Sequence, residues 1–461
     1  MSAKLWGGRF KKKIDADFEK FSASLAWDCR LLPYDLQIDA AHVKALKKCG
    51  VLSSVEEKKF LRAISLLQKQ CTDGKLRLDE REEDIHSALQ SLLKSKLGSL
   101  ADKLHTGRSR NDLVAQSSRL YCKDQSFKMI AMIDDLRCAF LAKAEQSQEI
   151  LIPGMTHLQN AQALSYAHIF LSYTEMLSRA KERFRLSARF CDVCVLGSGA
   201  LAGVTFNLDQ KMMAKDLGLS SVTNNSYDVS GDRDFILDLL SSIFFASLQL
   251  SRIAEDLMLA QTKGFGTIEF DQPFCTGSSM MPQKKNADFA ELLRGASGVF
   301  GANFTGMAFV LKGLPSSYNR DLQWDKKFIF DSVENFEKVL GIFTKAVKSL
   351  SVHKDAAKER LRDETLYATD LADYLVKKDI PFKTAHDQVG QIVSFAEENK
   401  VALSKIGLDI YQKFSPKISG DVYALFEATH SVRLKRTQGS THPLEIKKQI
   451  SRLKKELAKR S

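Results

Sequence analysis

Residues 232–263 read DRDFILDLLSSIFFASLQLSRIAEDLMLAQTK and contain neither glycine nor proline. Apolar residues return there in alternating steps of three and four, which is the spacing of a helix in a left-handed bundle. The positions are Leu239, Ile243, Ala246, Leu250, Ile253, Leu257 and Ala260. The stretch therefore predicts one long helix whose apolar seam must be covered by other helices.

Two further stretches without glycine or proline, residues 113–150 and 155–196, predict helices of roughly 45–60 Å each. Their seams comprise Met129, Ile133, Leu136 and Phe140 in the first, and Ala163, Tyr166, Phe170, Tyr173, Leu177, Ala180 and Phe184 in the second. Short flanking segments cannot bury helices of this length. The pattern therefore predicts that they pack on one another and on copies from other subunits.

A fourth helix is predicted over residues 286–312 and a fifth over residues 322–347. The fourth carries Gly295, Gly298, Gly301 and Gly306. Because glycine lowers helix propensity, these residues predict close approach between helices.

The two ends of the chain hold shorter amphipathic segments, and strand signals are sparse throughout. The last segment places Ile446, Ile450, Leu453 and Leu457 on one helical face. We therefore predict an all-α fold in which a long-helix bundle is flanked by two smaller helical domains. The expected divisions are an N-terminal mainly helical domain (1–106), a central bundle domain (107–354) and a C-terminal small helical domain (355–461).

Composition and charge argue against several functional classes, among them nucleic-acid-binding, metal-binding and membrane proteins. The chain has 461 residues, a formal net charge of +12, eight cysteines and nine histidines. The positive excess is spread along the chain, and RNA-binding aromatic strings and zinc-finger spacings do not occur, which argues against nucleic acid. Cys191 and Cys194 form a lone CxxC and HExxH is absent, so no metal site is predicted. With no apolar signal segment and no unbroken apolar run of about 20 residues, we expect a cytoplasmic protein without a membrane partner.

The loop at residues 277–286 reads GSSMMPQKKN and concentrates chemical groups. Gly277 allows unusual backbone angles, two serine hydroxyls follow, and Lys284 adds a positive charge nearby. Asn286 stands where it could cap the helix that follows. Hydroxyl, ammonium and amide donors at a helix start suit a carboxylate or a developing oxyanion. A solvated Gly/Ser turn with an ordinary cap is the alternative reading of the composition.

Three other helix entries are rich in carboxylate-binding groups. Residues 105–112, HTGRSRND, offer two guanidiniums beside a capping Asn111 or Asp112. In residues 153–159, PGMTHLQ, Thr156 and Gln159 form a capping box, which places a neutral His157 at the first helical position. In residues 314–326, LPSSYNRDLQWDK, the side chains of Tyr318, Gln323 and Lys326 can face one ligand. Each segment taken alone is also compatible with an ordinary capped helix start.

Taken in order along the chain, these segments resemble the argininosuccinate lyase family of the fumarase/aspartase superfamily. The loop at residues 277–286 is shared by the superfamily, whereas residues 105–112 and 318–326 point to this family. The other matching blocks are residues 4–10, 21–24, 83–86, 156–159, 197–200 and 368–375. The resemblance covers essentially the whole chain. It implies reversible β-elimination of argininosuccinate to arginine and fumarate, the last step of arginine biosynthesis, without metal or organic cofactor.

The resemblance also implies roles for individual residues. Ser278 is the expected base, Lys284 stabilises the aci-carboxylate, and His157, oriented by Glu291, assists the leaving guanidine. The expected substrate contacts are Ser24, Arg110, Asn111, Thr156, Arg233, Asn286, Tyr318, Gln323 and Lys326. A homotetramer with each site shared between three subunits is implied as well.

Some residues depart from the family pattern. Gln90 replaces an acidic residue, and Ala287 replaces a proline. At residues 160–163, where the family usually has Arg-Ala-Gln-Pro, Asn160 replaces the arginine and Ala163 the proline. Near the C-terminus, Gln438-Gly439-Ser440-Thr441 stands where the family has Gly-Gly-Thr. None removes an expected catalytic group. A sister lyase acting on adenylosuccinate, malate or aspartate, and a non-catalytic crystallin-like homologue, remain the alternatives.

Overall fold

The computed structural model describes Lys12 and residues 14–459, so the predicted block at residues 4–10 lies outside the described residues. The helices before the bundle are α1 (Ala16–Ser22), α2 (Leu25–Asp28), α3 (Leu32–Lys48), α4 (Ser54–Thr72) and α5 (Ile85–Leu97). Those of the middle are α6 (Arg110–Gln146), α7 (Tyr166–Cys191), α8 (Gln210–Asp216), α9 (Ser226–Gly231), α10 (Asp234–Gln261), α11 (Asp288–Leu311) and α12 (Asp325–Ser349). The last are α13 (Lys354–Arg360), α14 (Ala368–Val376), α15 (Phe382–Glu398), α16 (Leu408–Phe414), α17 (Ala428–Leu434) and α18 (Pro443–Ala458).

Strands are few and short in the part of the chain that the structure describes. They are β1 (Leu151–Thr156), β2 (Gln159–Ser165), β3 (Val193–Cys194), β4 (Ser221–Val222), β5 (Ile268–Glu269) and β6 (Ser351–Val352). β1 pairs antiparallel with β2, β3 parallel with β4, and β5 antiparallel with β6. The predicted all-α class is confirmed.

The chain divides into two compact units. Unit 1 comprises residues 1–131, 180–247 and 296–338, and unit 2 comprises residues 132–179, 248–295 and 339–461. Each of the five long helices contributes residues to both units. The three-domain division at residues 106 and 354 stays a prediction.

In unit 1, aromatic side chains from the long helices form the core. The ring of Phe336 stacks on Phe184 and meets Phe300 edge-on at a centroid distance of 5.6 Å. A Cβ atom on Gly301 would lie 2.9 Å from Phe244, and one on Gly306 would lie 2.6 Å from Phe328. Two of the four α11 glycines therefore permit close packing, as predicted.

The other two α11 glycines behave differently. A Cβ added at Gly295 or Gly298 would meet nothing within 4 Å inside the described chain. Close approach within one chain does not explain these two residues.

In unit 2, the predicted seams are buried around Phe140. Its ring stacks on Phe170 and meets Tyr173 and Phe343 edge-on, the latter two at centroid distances of 5.2 and 6.1 Å. The C-terminal helices enclose a second core that contains Leu371, Leu375 and Tyr411. On α18 the buried residues are Ile446, Ile450, Leu453 and Leu457, which confirms the predicted face.

The predicted helix over residues 155–196 is wrong at its beginning. Residues 151–165 form the β1–β2 hairpin, with Thr156 opposite Gln159, and the helix starts only at Tyr166. His157 and Leu158 have φ values of 54° and 60°, the φ pattern of a two-residue type I′ turn. The predicted capping box is therefore a hairpin turn.

Helix α10 is 28 residues long and is apolar enough, by length and composition, to cross a membrane. Half of its most apolar window is buried inside the structure. The seam of a bundle helix accounts for such a composition, because core helices of globular proteins pass the same test.

Candidate active site

Six of the predicted substrate contacts line one cavity of about 400 Å³ in unit 1. They are Ser24, Arg110, Asn111, Tyr318, Gln323 and Lys326. They come from three separate parts of the sequence, and the fold of unit 1 brings them together. The cavity presents cationic, amide and hydroxyl groups, which are the donors that carboxylates require.

One wall of the cavity begins at α2. The Ser24 hydroxyl donates to Asp28 Oδ2 at 2.6 Å, and Asp28 Oδ1 accepts the backbone N–H of Ile85 at 3.0 Å. Burial raises the pKa of Asp28. The hydrogen bonds fix the position of Ser24 at the cavity wall.

A second wall is the entry to α6. Ser109 accepts the backbone N–H of Asn111 at 3.2 Å, while Asp112 accepts that of Ser109 at 3.0 Å. The cap is therefore Ser109 in a reciprocal capping arrangement, and the predicted cap at Asn111 or Asp112 is wrong. The amide of Asn111 donates instead to the backbone oxygen of Ala200 at 3.2 Å.

The two arginines of this entry differ in availability. Arg108 is buried and pairs with Asp39 at 2.5 Å, so it holds the loop and cannot reach a ligand. Arg110 lines the cavity, where it pairs with Asp84 at 3.1 Å and lies 3.7 Å from Glu83. Only one of the two predicted guanidiniums is placed at the cavity.

A third wall precedes α12. The amide of Gln323 donates to the backbone oxygen of Ser22 at 2.9 Å, and Lys326 donates to Asp325 Oδ1 at 2.7 Å. The hydroxyl of Tyr318 has no hydrogen-bond partner among the described residues. A Cβ on Gly231 would lie 2.1 Å from the backbone oxygen of Ser317, so only glycine lets this segment approach so closely.

Arg233, another predicted substrate contact, is not among the residues that line this cavity. It is 1% exposed, and its Nε donates to Asp325 Oδ2 at 2.8 Å. Asp325 also accepts from Lys326, so Arg233 orients the start of α12 from within the core. Its Nη2 is buried without a hydrogen-bond partner in the structure, and its role as a substrate contact stays a prediction.

Acidic residues and one histidine, which the sequence did not single out as site residues, lie at the floor of the cavity. His86 bonds through Nδ1 to Asp35 Oδ2 at 2.5 Å, while its Nε2 is buried without a hydrogen-bond partner. Burial opposes protonation of His86, yet the charges of Asp35 and Asp84 raise its pKa. The signal for this pair in the sequence is the block at residues 83–86, which contains Asp84 and His86.

Burial and nearby charges also have opposite effects on the pKa of Asp84. Burial acts to raise it, but the nearby His86 and Arg110 charges prevail and lower the pKa of Asp84. The floor of the cavity therefore holds compensating charges, and it is not a simple cationic pocket.

The remaining predicted site residues belong to unit 2. Thr156 and His157 stand at the exposed end of the β1–β2 hairpin. A left-handed backbone at a non-glycine residue is costly and is typical of functional sites. The position of His157 is therefore set by the hairpin turn, and not by a helix N-terminus as predicted.

The loop at residues 277–286 is closed by a backbone bridge between Thr276 and Asn286. Their N–H groups donate to one another's oxygens at 3.0 and 2.8 Å. Helix α11 starts at Asp288, so the predicted cap at Asn286 is wrong. Gly277 also lacks the positive φ expected of it.

Within the loop, the Ser278 hydroxyl oxygen accepts the backbone N–H of Met280 at 3.2 Å and of Met281 at 3.0 Å. Lys284 and Glu291 are exposed, and Lys285 pairs with Glu269 at 2.8 Å. Lys284 forms no ion pair with a described residue. The roles of Ser278, Lys284, His157 and Glu291 stay predictions.

Metal binding has no geometric support in the described part of the chain. Within Lys12 and residues 14–459, no group of three or more His, Cys, Asp or Glu side chains is placed to hold a metal ion. The expectation of a reaction without metal or organic cofactor also stays a prediction.

Three of the departures from the family pattern are buried. Gln90 donates to the backbone oxygen of Ala101 at 3.1 Å, Ala163 is 1% exposed and Ala287 is 7% exposed. Each occupies a packed position within its own unit.

Two known protein families match parts of this chain. The family described as Lyase matches residues 8–301, and that described as Argininosuccinate lyase C-terminal matches residues 365–433. The argininosuccinate lyase of Caldicellulosiruptor bescii is 40% identical over 99% of this chain and 99% of its own length. That of Listeria monocytogenes serovar 1/2a is 41% identical over 98% of this chain and 100% of its own length.

A solved structure agrees with the sequence relatives. An EDDS lyase variant with bound fumarate superimposes with a TM-score of 0.82 at 26% identity, covering 96% of this chain and 88% of that chain. Sequence identity over the full length, two matching family descriptions and the all-helical fold agree. The chain is a lyase that belongs to the argininosuccinate lyase family.

Proposed function

We propose that this chain splits argininosuccinate into arginine and fumarate by reversible β-elimination, without metal or organic cofactor. The observation that carries the proposal is the cavity of unit 1, where Ser24, Arg110, Asn111, Tyr318, Gln323 and Lys326 meet. The relatives named argininosuccinate lyase support the choice of substrate. The related EDDS lyase variant that holds fumarate supports the choice of product.

The cavity suits a substrate with several carboxylates. Arg110 and Lys326 supply positive charge, each beside a carboxylate of the chain, and the amides of Asn111 and Gln323 supply neutral donors. The unpaired hydroxyl of Tyr318 remains available for a ligand oxygen. Because charge-assisted hydrogen bonds are the stronger ones, the two cations are the proposed anchors.

Ser278 is the proposed base that removes the proton from the succinyl carbon next to a carboxylate. A serine hydroxyl is a weak base unless its alkoxide is stabilised. The N–H groups of Met280 and Met281 already point at its oxygen and would stabilise that charge. Lys284 is the proposed partner of the aci-carboxylate that forms when the proton leaves, and Thr156 and Asn286 are proposed to contact the same substrate.

The C–N bond then breaks, the electron pair of the former C–H bond becomes the double bond of fumarate, and the guanidine nitrogen takes a proton. His157 is the proposed acid, acting directly or through water. Glu291 is proposed to orient it. The strained hairpin turn presents His157 without covering it, which suits a proton donor.

We further propose a homotetramer in which each site draws residues from three subunits, and a location in the cytoplasm. Exposed apolar side chains on the long helices support association. Among them are Phe190 at 52%, Phe245 at 41% and Val299 at 50% exposure.

The test is to supply argininosuccinate and follow fumarate and arginine together. Equal amounts of both products are expected. Adenylosuccinate, malate and aspartate are run in parallel, and turnover of one of them in place of argininosuccinate would assign the chain to a sister lyase. No turnover of any substrate by folded protein would support a non-catalytic homologue.

A further inference from the structure

A second cavity lies in unit 2 and has no part in the proposed reaction. Its volume is about 980 Å³, and it lies between one face of α7, one face of α18 and the segment before α18. Its charged lining is Glu175, Arg179, Arg252, Arg436, Glu445, Lys448 and Arg452. The lining is therefore mainly cationic.

Two of these cations are already neutralised. Arg452 pairs with Glu175, and Lys448 pairs with Glu445 at 2.6 Å. Arg179 and Arg436 have no ion pair with a described residue, and the Arg179 guanidinium donates only to the backbone oxygen of Glu175 at 3.2 Å. The cavity therefore holds positive charge that its own carboxylates do not balance.

Two polar atoms of residues at the wall are also without a partner. Nδ1 of His168 and Nε2 of Gln449 are buried and have no hydrogen-bond partner in the structure. Both residues line the cavity. A buried polar atom without a partner costs free energy, and a ligand oxygen could recover it only if the side chain turned that atom toward the cavity.

From these observations we propose that this cavity binds a small oxyanion with two or more negative charges, a phosphate or a polycarboxylate. Planar guanidiniums such as those of Arg179 and Arg436 form paired hydrogen bonds with both kinds of oxyanion.

This cavity is separate from His157, the proposed acid in unit 2. The backbone N–H of Ser165 donates to Thr441 at 2.9 Å, which fixes the base of the β1–β2 hairpin beside the segment that lines the cavity. His157 stands at the other end of strands of six and seven residues, roughly 20 Å along the hairpin. A ligand in the cavity would therefore not replace the substrate at His157.

The test measures binding of inorganic pyrophosphate and of citrate to the full-length chain by titration calorimetry, at low and high sodium chloride. Saturable binding of at least one probe is expected, weaker at high salt because charge attraction is screened. The two probes distinguish phosphate from carboxylate ligands. Arg436→Gln and Arg179→Gln should each raise Kd at least tenfold.

Two control variants make the test specific. Arg362→Gln changes an arginine that is 78% exposed and outside the cavity, and it should leave Kd unchanged. Tyr318→Phe changes the unit 1 cavity and should also leave Kd unchanged. Absence of saturable binding for both probes, or an unchanged Kd in both Arg436→Gln and Arg179→Gln, would overturn the proposal.

Discussion

The hydroxyl oxygen of Ser278 accepts the backbone N–H of Met281 at 3.0 Å. A second N–H, that of Met280, reaches the same oxygen at 3.2 Å. The loop therefore aims two donors at the atom that the proposed mechanism requires to carry negative charge. This arrangement leads to the first prediction.

Ser278→Ala should lower kcat for argininosuccinate by about 10²–10⁴-fold, because general base catalysis is typically worth that much. The melting temperature should hardly change, since Ser278 lies in a surface loop. Steady-state kinetics and thermal unfolding measure the two quantities.

Ser279→Ala is the matched control, because Ser279 is the next residue, is exposed and carries the same hydroxyl. It should retain most of the wild-type kcat. Normal turnover by Ser278→Ala would show that the base is another residue.

Arg233→Ala should lower the free energy of unfolding by about 3–5 kcal/mol, because it leaves the buried carboxylate of Asp325 short of a partner. Urea denaturation at neutral pH measures this loss. Arg362→Ala, which removes an exposed pair with Glu359, should change it by less than about 0.5 kcal/mol. A raised KM with unchanged stability would instead return Arg233 to the substrate contacts.

His42 should make the protein sensitive to acid. Burial, aided by the charge of Arg108, lowers the pKa of His42 from 6.5 to about 3, so the folded state keeps it neutral. Neutral His42 makes its full contribution to the free energy of unfolding above pH 6.5. That contribution is lost as the pH falls toward 3, because the histidine of the unfolded chain takes up a proton at a higher pH than that of the folded chain. The slope is about 1.4 kcal/mol per pH unit.

His42→Gln should remove this part of the pH dependence, since an amide can still donate to the Thr106 backbone oxygen that His42 reaches at 3.0 Å. Urea denaturation at several pH values between about 4 and 7 measures the slope. His386→Gln, at an exposed position on α15, should keep the wild-type slope. Equal slopes for wild type and His42→Gln would contradict the prediction.

Leu158→Asn should raise the free energy of unfolding by about 0.5–1 kcal/mol, because asparagine adopts a positive φ more readily than leucine. Leu158 has φ 60° and is 66% exposed, so few contacts are lost. Leu444→Asn, at an exposed helical position, should leave stability unchanged or lower it. Equal losses in the two variants would show that the turn stores no strain.

Residue type and chain position were enough to group some of the predicted site residues. Tyr318, Gln323 and Lys326 share a segment and line one cavity, while their role as substrate contacts stays a prediction. All three arginines pair with carboxylates, but the side chains of Arg108 and Arg233 are buried, whereas that of Arg110 is partly exposed at the cavity. Sequence could not separate the three, because burial depends on distant residues such as Asp39 and Asp325.

By itself the sequence determined the all-helical class, the long helices and their buried seams, since a repeating apolar spacing along one helix is a local property of the chain. Family membership followed in the same way from the order of its motifs. Tertiary structure decided that His157 stands on a hairpin turn, that Ser109 caps α6, and that Arg233 is a core residue. Those outcomes depend on which distant backbone and carboxylate groups compete for each side chain, and only the folded chain brings them together.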